Sequence, residues 1–262
     1  MKSNEFNPIN IGVDAVYVLS VKSFEERIHH IKLELAKHHI QFEFMFDDDA
    51  SDIQSQDLTH IFDSTELSVN QKSLILKNIR VWKDALVKKY DTVLIFEDDA
   101  LLKDDFVYRF DIAIQASKQL DKGWLIFLGG DDVKVPDHYF LALGPLVKMP
   151  ICTTEAYVSD ITAMQRRLNW LENNKIKLPA DHLIRLIDEQ MLTAQYWLTH
   201  PIVEQGSSTG LFDSSLDMHK QKHGKLFTKF RNRWNILRRQ HLRRLIVRIN
   251  AKLALHSTKN RY

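Results

Sequence analysis

The sequence predicts an α/β fold with a mostly parallel central sheet, followed by a basic helical tail. Two observations support this prediction. Short apolar segments alternate with longer segments in which apolar residues recur at helical spacing, and this order is typical of parallel strands joined by right-handed crossovers. Residues 93–96 are wholly apolar, as expected for a central strand that is covered on both faces. We place the body at residues 1–217 and the tail at 218–262.

The elements of the body follow from local patterns. Ser68 with Gln71 three residues later is a capping box that opens a helix, and Asp181 is placed to act as the N-cap of another helix. The polar segment between residues 47 and 63 is predicted to be an irregular surface excursion. The predicted strands are 13–19, 42–46, 93–96, 124–128, 139–143 (at an edge) and 155–158, and the predicted helices are 24–37, 68–89, 104–120, one after 159 and one after 179.

Length and composition indicate the broad class of protein. The 262 residues are 44% hydrophobic and can bury a substantial core. The single cysteine, Cys152, cannot form an internal disulfide, which favours a reducing compartment. The N-terminus is polar, and no segment approaches the roughly 20 apolar residues of a membrane span. We therefore expect a cytoplasmic protein that does not cross a membrane.

The net charge of +2 conceals a strong asymmetry. No Asp or Glu follows Asp217, whereas 14 Lys and Arg residues do. The chain up to Asp217 keeps 22 of the 36 Lys and Arg residues against 34 Asp and Glu, a formal charge of about −12. Body and tail are therefore electrostatically different.

Two acidic segments follow predicted strands. Glu97, Asp98 and Asp99 end the apolar strand, and Asp131 and Asp132 follow a Gly-Gly pair at the end of the next one. In parallel sheets, ligands bind at the carboxyl ends of the strands. Clustered carboxylates repel one another in a dry site, and a divalent cation with oxygen ligands would compensate for this. The alternative is a pair of solvated acidic turns.

The residues along the chain resemble glycosyltransferase family 25, which includes enzymes of lipopolysaccharide and lipooligosaccharide synthesis and relatives of the collagen galactosyltransferases. The resemblance extends over residues 13–215. It is carried by Val16-Tyr17-Val18-Leu19, Arg27, Leu67-Ser68, Ser73, Leu76-Lys77, Trp82, Phe96-Glu97-Asp98-Asp99, Phe127-Leu128-Gly129-Gly130-Asp131, Ala156-Tyr157 and residues 205–215.

The resemblance implies a GT-A-like nucleotide-sugar fold and transfer of a hexose, most often galactose, from its UDP derivative with Mn²⁺ or Mg²⁺. Asp99, with Asp98, would then hold the metal, and His219 is a candidate for a further ligand from the C-terminal part of the chain. The sequence departs from the family at Ser20-Val21, where Asn-Leu is usual. It also has Gln71 and Asn78 where Glu and His are frequent. The residues assigned to the donor are Ser20, Arg27, Glu97, Asp98, Asp131, Asp132 and Gln205.

The loop at residues 205–210 contains glycines and hydroxyl side chains. Backbone and hydroxyl donors of this kind suit contacts with a phosphate or a sugar. A plain flexible linker would have the same composition, and both interpretations remain open.

Sugar transfer needs a general base that can reach the acceptor hydroxyl. One displacement with one base would invert the anomeric centre. The leading candidate is Asp181, because it opens a helix after the second half of the sheet, and Asp188 and Glu189 are alternatives. For Asp188 and Glu189 the competing interpretation is that both are simple solvated charges.

The tail carries apolar residues at helical spacing with Arg and Lys between them. Such a cationic amphipathic helix suits the surface of an anionic membrane, as expected for an enzyme that acts on a lipid-linked glycan at the inner face of the cytoplasmic membrane. The alternatives are packing on the acidic body or on a second subunit. We expect no nucleic-acid partner, because no recognised nucleic-acid module accompanies the charge.

Two other functions would fit part of the sequence. Another metal-dependent transferase that uses nucleotides would also place carboxylates at strand ends. A non-catalytic protein bound to membrane or nucleic acid would need the tail but not the acidic segments.

Overall fold

The computed structural model describes residues 11–53, 58–63, 67–130, 133–149, 153–212 and 225–259. The strands are β1 (Ala15–Leu19), β2 (Glu43–Met45), β3 (Thr92–Glu97), β4 (Ala100–Leu102), β5 (Trp124–Phe127), β6 (Leu146–Lys148), β7 (Ala156–Asp160), β8 (Ala194–Leu198) and β9 (Val203–Gln205). The helices are α1 (Glu25–Lys37), α2 (Val69–Lys88), α3 (Phe106–Ser117), α4 (Asp137–Leu141), α5 (Ile161–Asn173), α6 (Ala180–Gln190), α7 (Gly206–Thr209), α8 (Lys225–Ile236) and α9 (Arg243–Lys259), with a π-helical segment, Leu237–Leu242, between the last two.

A seven-stranded sheet in the order β2-β1-β3-β7-β5-β8-β6 forms the centre of the molecule. Strands β1, β2, β3, β5 and β8 run in one direction, while β7 and the edge strand β6 run in the other. The predicted α/β class with a mostly parallel sheet is confirmed. The reversed direction of β6 and β7 was not predicted. Strands β4 and β9 pair separately as a small antiparallel sheet.

The central strands are buried on both faces because successive side chains alternate between two cores. In β3, Val93 and Ile95 join the cluster that also contains side chains of α2, α5 and α6. Leu94 and Phe96 join the opposite cluster, formed with α1 and α3. This alternation explains why residues 93–96 are apolar without a break.

The capping box at the start of α2 is confirmed. The Ser68 hydroxyl accepts a hydrogen bond from the Gln71 backbone N–H at 3.3 Å, and the Gln71 side chain accepts one from the Ser68 N–H at 2.9 Å. Each residue satisfies a backbone N–H that the first helical turn leaves without a partner. Helix α2 thereby starts at a defined position beside the sheet edge where the acidic residues lie.

Two local predictions are wrong. Residues 139–143 do not form the edge strand: Tyr139 and Phe140 are adjacent and both buried in α4, which a half-buried strand with alternating faces would not allow. The edge strand is β6, after the turn at 144–145. Asp181 is not an N-cap, because α6 already begins at Ala180 and the extended Pro179 precedes it.

The tail packs on the body through its polar side. The Arg243 guanidinium lies 2.6 Å from an Asp137 carboxylate oxygen, Arg244 donates to the Thr199 carbonyl at 2.6 Å, and Arg248 donates to the Phe140 carbonyl at 3.1 Å. Val247 also packs against the core. Within the described ranges, no helix has both the length and the apolar character needed to span a bilayer.

Candidate active site

The candidate site lies where β1 and β3 end side by side. Leu19 pairs with Glu97 in the parallel ladder, so the residues after both strands meet at one edge of the sheet. Asp98 and Asp99 form the turn that connects β3 to β4. The backbone N–H of Gly206 donates to the Asp99 carbonyl at 2.7 Å and ties this turn to the end of β9. Two sheets therefore fix the backbone of the acidic segment.

Asp98 is held by two partners that the sequence analysis assigned to the donor site. The Ser20 hydroxyl donates to one carboxylate oxygen at 2.7 Å, and the Arg27 guanidinium lies 3.0 Å from the other. Burial raises the pKa of Asp98, and Arg27 and Ser20 oppose that effect by stabilising the carboxylate. The Arg27 guanidinium itself lies between the rings of Phe24 and Phe212, 5.3 Å from each centroid. These contacts fix the orientation of Asp98.

The two carboxylate oxygens of Asp99 have different surroundings. Its Oδ2 accepts a hydrogen bond from the Ser207 backbone N–H at 3.0 Å, whereas Oδ1 is buried and has no hydrogen-bond partner among the described residues. A buried carboxylate oxygen without a partner is costly. Such an oxygen is a suitable ligand for a divalent cation, because Mg²⁺ and Mn²⁺ prefer oxygen donors.

Glu97, the first carboxylate of the acidic segment, is buried. Burial, followed by repulsion from Asp99, raises its pKa to about 8. A hydrogen bond from Thr154 opposes this shift, whereas Glu155 and Asp98 add to it. Like charges packed this closely make full ionisation unfavourable unless a cation is present.

The residues fit a metal ion that is shared with a substrate better than one caged by protein. Within the described ranges, no group of three or more His, Cys, Asp or Glu side chains is arranged to hold a metal. Mg²⁺ is commonly bound by one or two carboxylates together with substrate phosphates. Asp99, assisted by Asp98, could supply that protein share.

A cavity of about 270 Å³ opens beside this edge. Four of the predicted donor residues line it together with parts of α1 and α2, namely Ser20, Arg27, Glu97 and Asp98. Further polar and aromatic lining side chains are Phe24, just before α1, and Asn70, Ser73 and Lys77 of α2. The fold therefore brings these four side chains together at one edge of the sheet, and their role in binding a donor stays a prediction.

Asp49 and Lys77 support the cavity wall, and the sequence analysis did not identify this pair. The Lys77 ammonium lies 2.6 Å from Asp49 Oδ1 and donates to the Asp47 carbonyl at 2.8 Å. The other Asp49 oxygen accepts from the Lys22 N–H at 2.9 Å. The available signal was the run of three Asp residues directly after β2, which resembles the acidic segment after β3.

The candidate bases lie in three different environments. Asp188 is in the core, where Arg167 donates to both of its oxygens at 2.7 and 2.9 Å and Gln195 donates to one at 2.9 Å. It is therefore neither a solvated charge nor able to reach an acceptor. Glu189 is exposed on α6. Asp181 lies in the first turn of that helix and is half-buried.

The direction of α6 places Asp181 at the same edge of the sheet as the acidic turn. Helix α6 ends just before β8, and β8 runs parallel to β5. The start of the helix therefore lies toward the carboxyl ends of these strands. Asp181 is not among the described side chains that line the 270 Å³ cavity.

Gly129 and Gly130 have identifiable reasons to be glycine. A Cβ at Gly129 would lie 2.0 Å from Glu155 Oε1, and Gly130 has a φ of +90° with Trp197 packed against it. A side chain at either position would therefore clash, and only glycine adopts the positive φ of residue 130 without strain. Asp131 and Asp132, which follow, and His219 lie outside the described residues.

Gln205 ends β9 opposite Ala100, and Gly206–Thr209 forms the short helix α7. The side-chain oxygen of Gln205 accepts a hydrogen bond from the Ser208 hydroxyl at 3.2 Å. The loop that was predicted to contact phosphate or sugar therefore begins beside the acidic turn, and the N–H groups of Gly206 and Ser207 bind Asp99.

The chain was compared with known proteins at the level of sequence and of structure. No match is found among curated protein sequences. Among solved structures, mouse xyloside xylosyltransferase 1 in its apo form matches at 10% identity and a TM-score of 0.41, over 70% of this chain and 84% of that one. The glycosyltransferase GlyE in Streptococcus pneumoniae TIGR4 matches at 10% identity and a TM-score of 0.42, over 90% of this chain and 63% of that one. The galactosyltransferase LgtC in complex with donor and acceptor sugar analogues matches at 8% identity and a TM-score of 0.38, over 85% of this chain and 95% of that one.

The sequence-family match is the decisive comparison. The profile of glycosyltransferase family 25, described as a lipopolysaccharide biosynthesis protein, matches residues 13–205. This region contains β1 to β9 and all of the described donor-site residues. The chain therefore belongs to glycosyltransferase family 25 and is a glycosyltransferase.

Proposed function

We propose that the protein transfers a hexose, with galactose as the first candidate, from its UDP derivative to a lipopolysaccharide or lipooligosaccharide glycan, with inversion at the anomeric carbon. The observation that carries the proposal is the cavity at the end of β1 and β3. It combines hydrogen-bonding and aromatic side chains with two acidic residues, and Asp99 lies next to it. This is a suitable environment for a nucleotide-sugar donor.

The donor cavity offers separate groups for the parts of a nucleotide sugar. Phe24 presents an aromatic side chain on which a nucleobase can stack. The Ser20 and Ser73 hydroxyls and the Asn70 amide can hydrogen-bond to ribose or sugar hydroxyls. Asp98 is held by Arg27, so its carboxylate is oriented before the donor arrives.

We assign the metal-binding role to Asp99, with Asp98 beside it. A bound Mn²⁺ or Mg²⁺ would stabilise the negative charge that develops on the leaving diphosphate. The protein contribution is orientation: the N–H groups of Gly206 and Ser207 hold the Asp99 carbonyl and carboxylate. Oδ1 is thereby left available for a cation.

We assign the general base to Asp181. It would accept the proton of the acceptor hydroxyl as that hydroxyl attacks the anomeric carbon from the side opposite the diphosphate. The half-buried position in the first turn of α6, at the correct edge of the sheet, supports this role. A single displacement of this kind inverts the anomeric configuration.

The test is a panel of UDP-sugars with Mn²⁺ and a lipooligosaccharide acceptor, read as UDP release and as a glycosylated product whose anomeric configuration is determined by NMR. The proposal expects UDP release that depends on the acceptor and is greatest with UDP-galactose. Release of pyrophosphate instead of UDP would identify a different nucleotide-using transferase. A product of retained configuration would contradict the role given to Asp181.

We further propose that residues 1–217 form the catalytic unit and that residues 218–262 hold it at the inner face of the cytoplasmic membrane, near a lipid-linked acceptor. The described part of the tail supports this because Arg243, Arg244 and Arg248 contact the body, whereas other cations and several apolar side chains of the tail are exposed. Leu245 and Ile246 are each 57% exposed, and Trp234 is 50% exposed. Each cation near an anionic membrane contributes about 1 kcal/mol.

A further inference from the structure

A second cavity, of about 550 Å³, separates α8 from the body. One wall consists of Glu204 in β9 with Thr209 and Gly210 at the end of α7. The opposite wall is α8, which contributes Lys229 and Arg233. The volume lies within the range of small-molecule sites in proteins and is sufficient for a sugar phosphate.

The α8 wall of this cleft is cationic. Lys229 and Arg233 are four residues apart and therefore lie on the same face of the helix, where like charges repel. Among the described residues neither forms an ion pair, and the sequence of α8 and α9 contains no Asp or Glu that could neutralise them. Glu204, the acidic residue among the lining side chains described, already lies 4.0 Å from Lys103. Within the part of the chain that the structure describes, Lys229 and Arg233 thus face a cleft in which neither is paired with an acidic side chain.

The cleft adjoins the candidate active site through one helical turn. Helix α7 begins with the N–H groups of Gly206 and Ser207, which hold Asp99, and it ends with Thr209 and Gly210 in the wall of the cleft. The donor cavity lies on another side of the acidic turn, against α1 and α2. A molecule in the cleft would therefore approach the reacting centre from a direction different from that of the nucleotide.

We infer that this cleft binds a phosphate group carried by the acceptor glycan. The inference rests on the proposed function, because it names the chemical class of the acceptor. Guanidinium groups bind phosphate oxygens through two parallel hydrogen bonds, and an ammonium adds a point charge. Arg233 and Lys229, one turn apart on a single helix, provide this combination.

The kinetic test uses Lys229→Gln/Arg233→Gln with a water-soluble phosphorylated acceptor oligosaccharide and the same oligosaccharide after phosphatase treatment. The variant is expected to raise KM for the phosphorylated acceptor at least about tenfold, because charge-assisted hydrogen bonds are lost. Three parameters of the variant should stay within about twofold of the wild-type values. They are kcat, KM for the UDP-sugar and KM for the dephosphorylated acceptor. Arg231→Gln, which removes an exposed charge from α8 outside the cleft, is the matched control.

Three outcomes would overturn the inference. An equal rise in KM for both acceptors would show that the phosphate is not recognised, and a rise confined to the UDP-sugar would place these cations in the donor site. An equal effect of Arg231→Gln would show a general charge effect. A soluble acceptor is used so that attraction to lipid phosphates does not contribute.

A binding measurement distinguishes failure of this inference from failure of the proposed function. Glucose 6-phosphate and glucose are titrated by calorimetry into protein saturated with UDP, so that the nucleotide site is filled. Wild-type protein should bind glucose 6-phosphate, and Lys229→Gln/Arg233→Gln should bind it at least about tenfold more weakly. Binding without sugar transfer would refute the proposed function alone. Transfer with no difference in glucose 6-phosphate binding, or with none detected, would refute the cleft assignment.

Discussion

At the scale of single residues, the acidic turn after β3 combines one oriented carboxylate, one with a free oxygen and one that resists ionisation. Asp98 is oriented by Ser20 and Arg27. Asp99 keeps Oδ1 without a partner among the described side chains, and Glu97 has a raised pKa. These differences arise from the contacts of each residue, although all three are adjacent in the chain.

Asp99→Asn should abolish the Mn²⁺-dependent part of UDP-sugar binding. The substitution keeps the shape and an oxygen for the Ser207 N–H, but it removes the negative charge that a cation requires. Calorimetric titration of UDP-sugar with and without Mn²⁺ measures the effect. The control is Asp104→Asn, on the segment before α3. An affinity that still increases with Mn²⁺ in the Asp99 variant would contradict the metal assignment.

Asp181→Asn should lower kcat by about 10²-fold or more, with KM for the donor nearly unchanged, because general base catalysis is usually worth 10²–10⁴-fold. Glu189→Gln, on the exposed part of the same helix, should have little effect. Steady-state kinetics with saturating acceptor separates the two parameters. A loss of less than about tenfold for Asp181→Asn, or a larger loss for Glu189→Gln, would reassign the base.

Glu97→Gln should stabilise the metal-free protein increasingly as the pH rises. Burial raises the folded-state pKa of Glu97 to about 8 from an ordinary value of 4.5, so the fold favours the protonated acid. The wild-type protein therefore loses stability as the pH rises from about 4.5 through 8, on the order of a few kcal/mol, whereas a neutral amide loses none.

Thermal unfolding in EDTA at pH 5, 6.5 and 8 tests this prediction. The difference in Tm between Glu97→Gln and the wild type should grow across the series. Glu172→Gln, an exposed position on α5, should give no such trend. A constant difference would indicate that the amide acts through packing instead of through titration.

The acidic turn and the residues assigned to it could be predicted because they are close to strand ends. The Asp49–Lys77 and Asp188–Arg167 pairs could not, because their partners are separated by 28 and 21 residues and meet only when helices pack on the sheet. Asp188 in particular occurs in a polar stretch of α6 and has the local pattern of a solvated charge. Its burial follows from the position of Arg167 on α5.

At the scale of elements, the capping box of α2 was predictable because the pattern acts within four residues. The helical structure of residues 137–141 could not be predicted in this way. The apolar side chains of that segment suit either a strand or a helix, and the outcome depends on the tail arginines and on Leu198, whose carbonyl accepts the Tyr139 hydroxyl at 2.6 Å. Strand β8 was also missed, although its sequence is rich in aromatic residues.

Helices α5 and α6 are joined by the buried pair of Arg167 and Asp188, and Arg167→Met should destabilise the protein strongly. Both side chains of the pair are fully buried. Removing one partner leaves an uncompensated charge, which typically costs 3–5 kcal/mol. Urea unfolding gives the loss, and Arg185→Met, exposed on α6, is the control.

A second variant separates the charge from the packing. Arg167→Met/Asp188→Leu should recover much of the stability lost by Arg167→Met alone, since an apolar pair of similar volume is often as stable as a buried ion pair. If the double variant is no more stable than the single one, the loss in Arg167→Met comes from the contacts of Arg167 with Ser159 and Trp82 and not from the unpaired charge.

At the scale of the whole molecule, the body and tail carry opposite charge, and the described contacts show how the tail uses it. Arginines on one side of α9 bind carbonyls and an acidic side chain of the body. The sequence predicted the charge asymmetry and the helical spacing. It could not assign which side of the helix faces inward, because arginine can pack on aromatic rings as readily as it can face water.

Arg244 and Leu245 are adjacent on α9, but Arg244 contacts the body whereas Leu245 is exposed, so their substitution should separate the two roles of the tail. Arg244 packs on Tyr139 and Phe140 and donates to the Thr199 carbonyl, so Arg244→Gln should lower Tm. Leu245 is exposed, so Leu245→Gln should leave Tm unchanged and weaken binding to phosphatidylglycerol vesicles about tenfold, by loss of an inserted apolar side chain. Co-sedimentation and thermal unfolding measure the two effects.

If Arg244→Gln weakens vesicle binding more than Leu245→Gln does, the membrane-facing side of the tail is the arginine side. If Leu245→Gln instead changes the oligomeric state by size-exclusion chromatography, the apolar side binds a second copy.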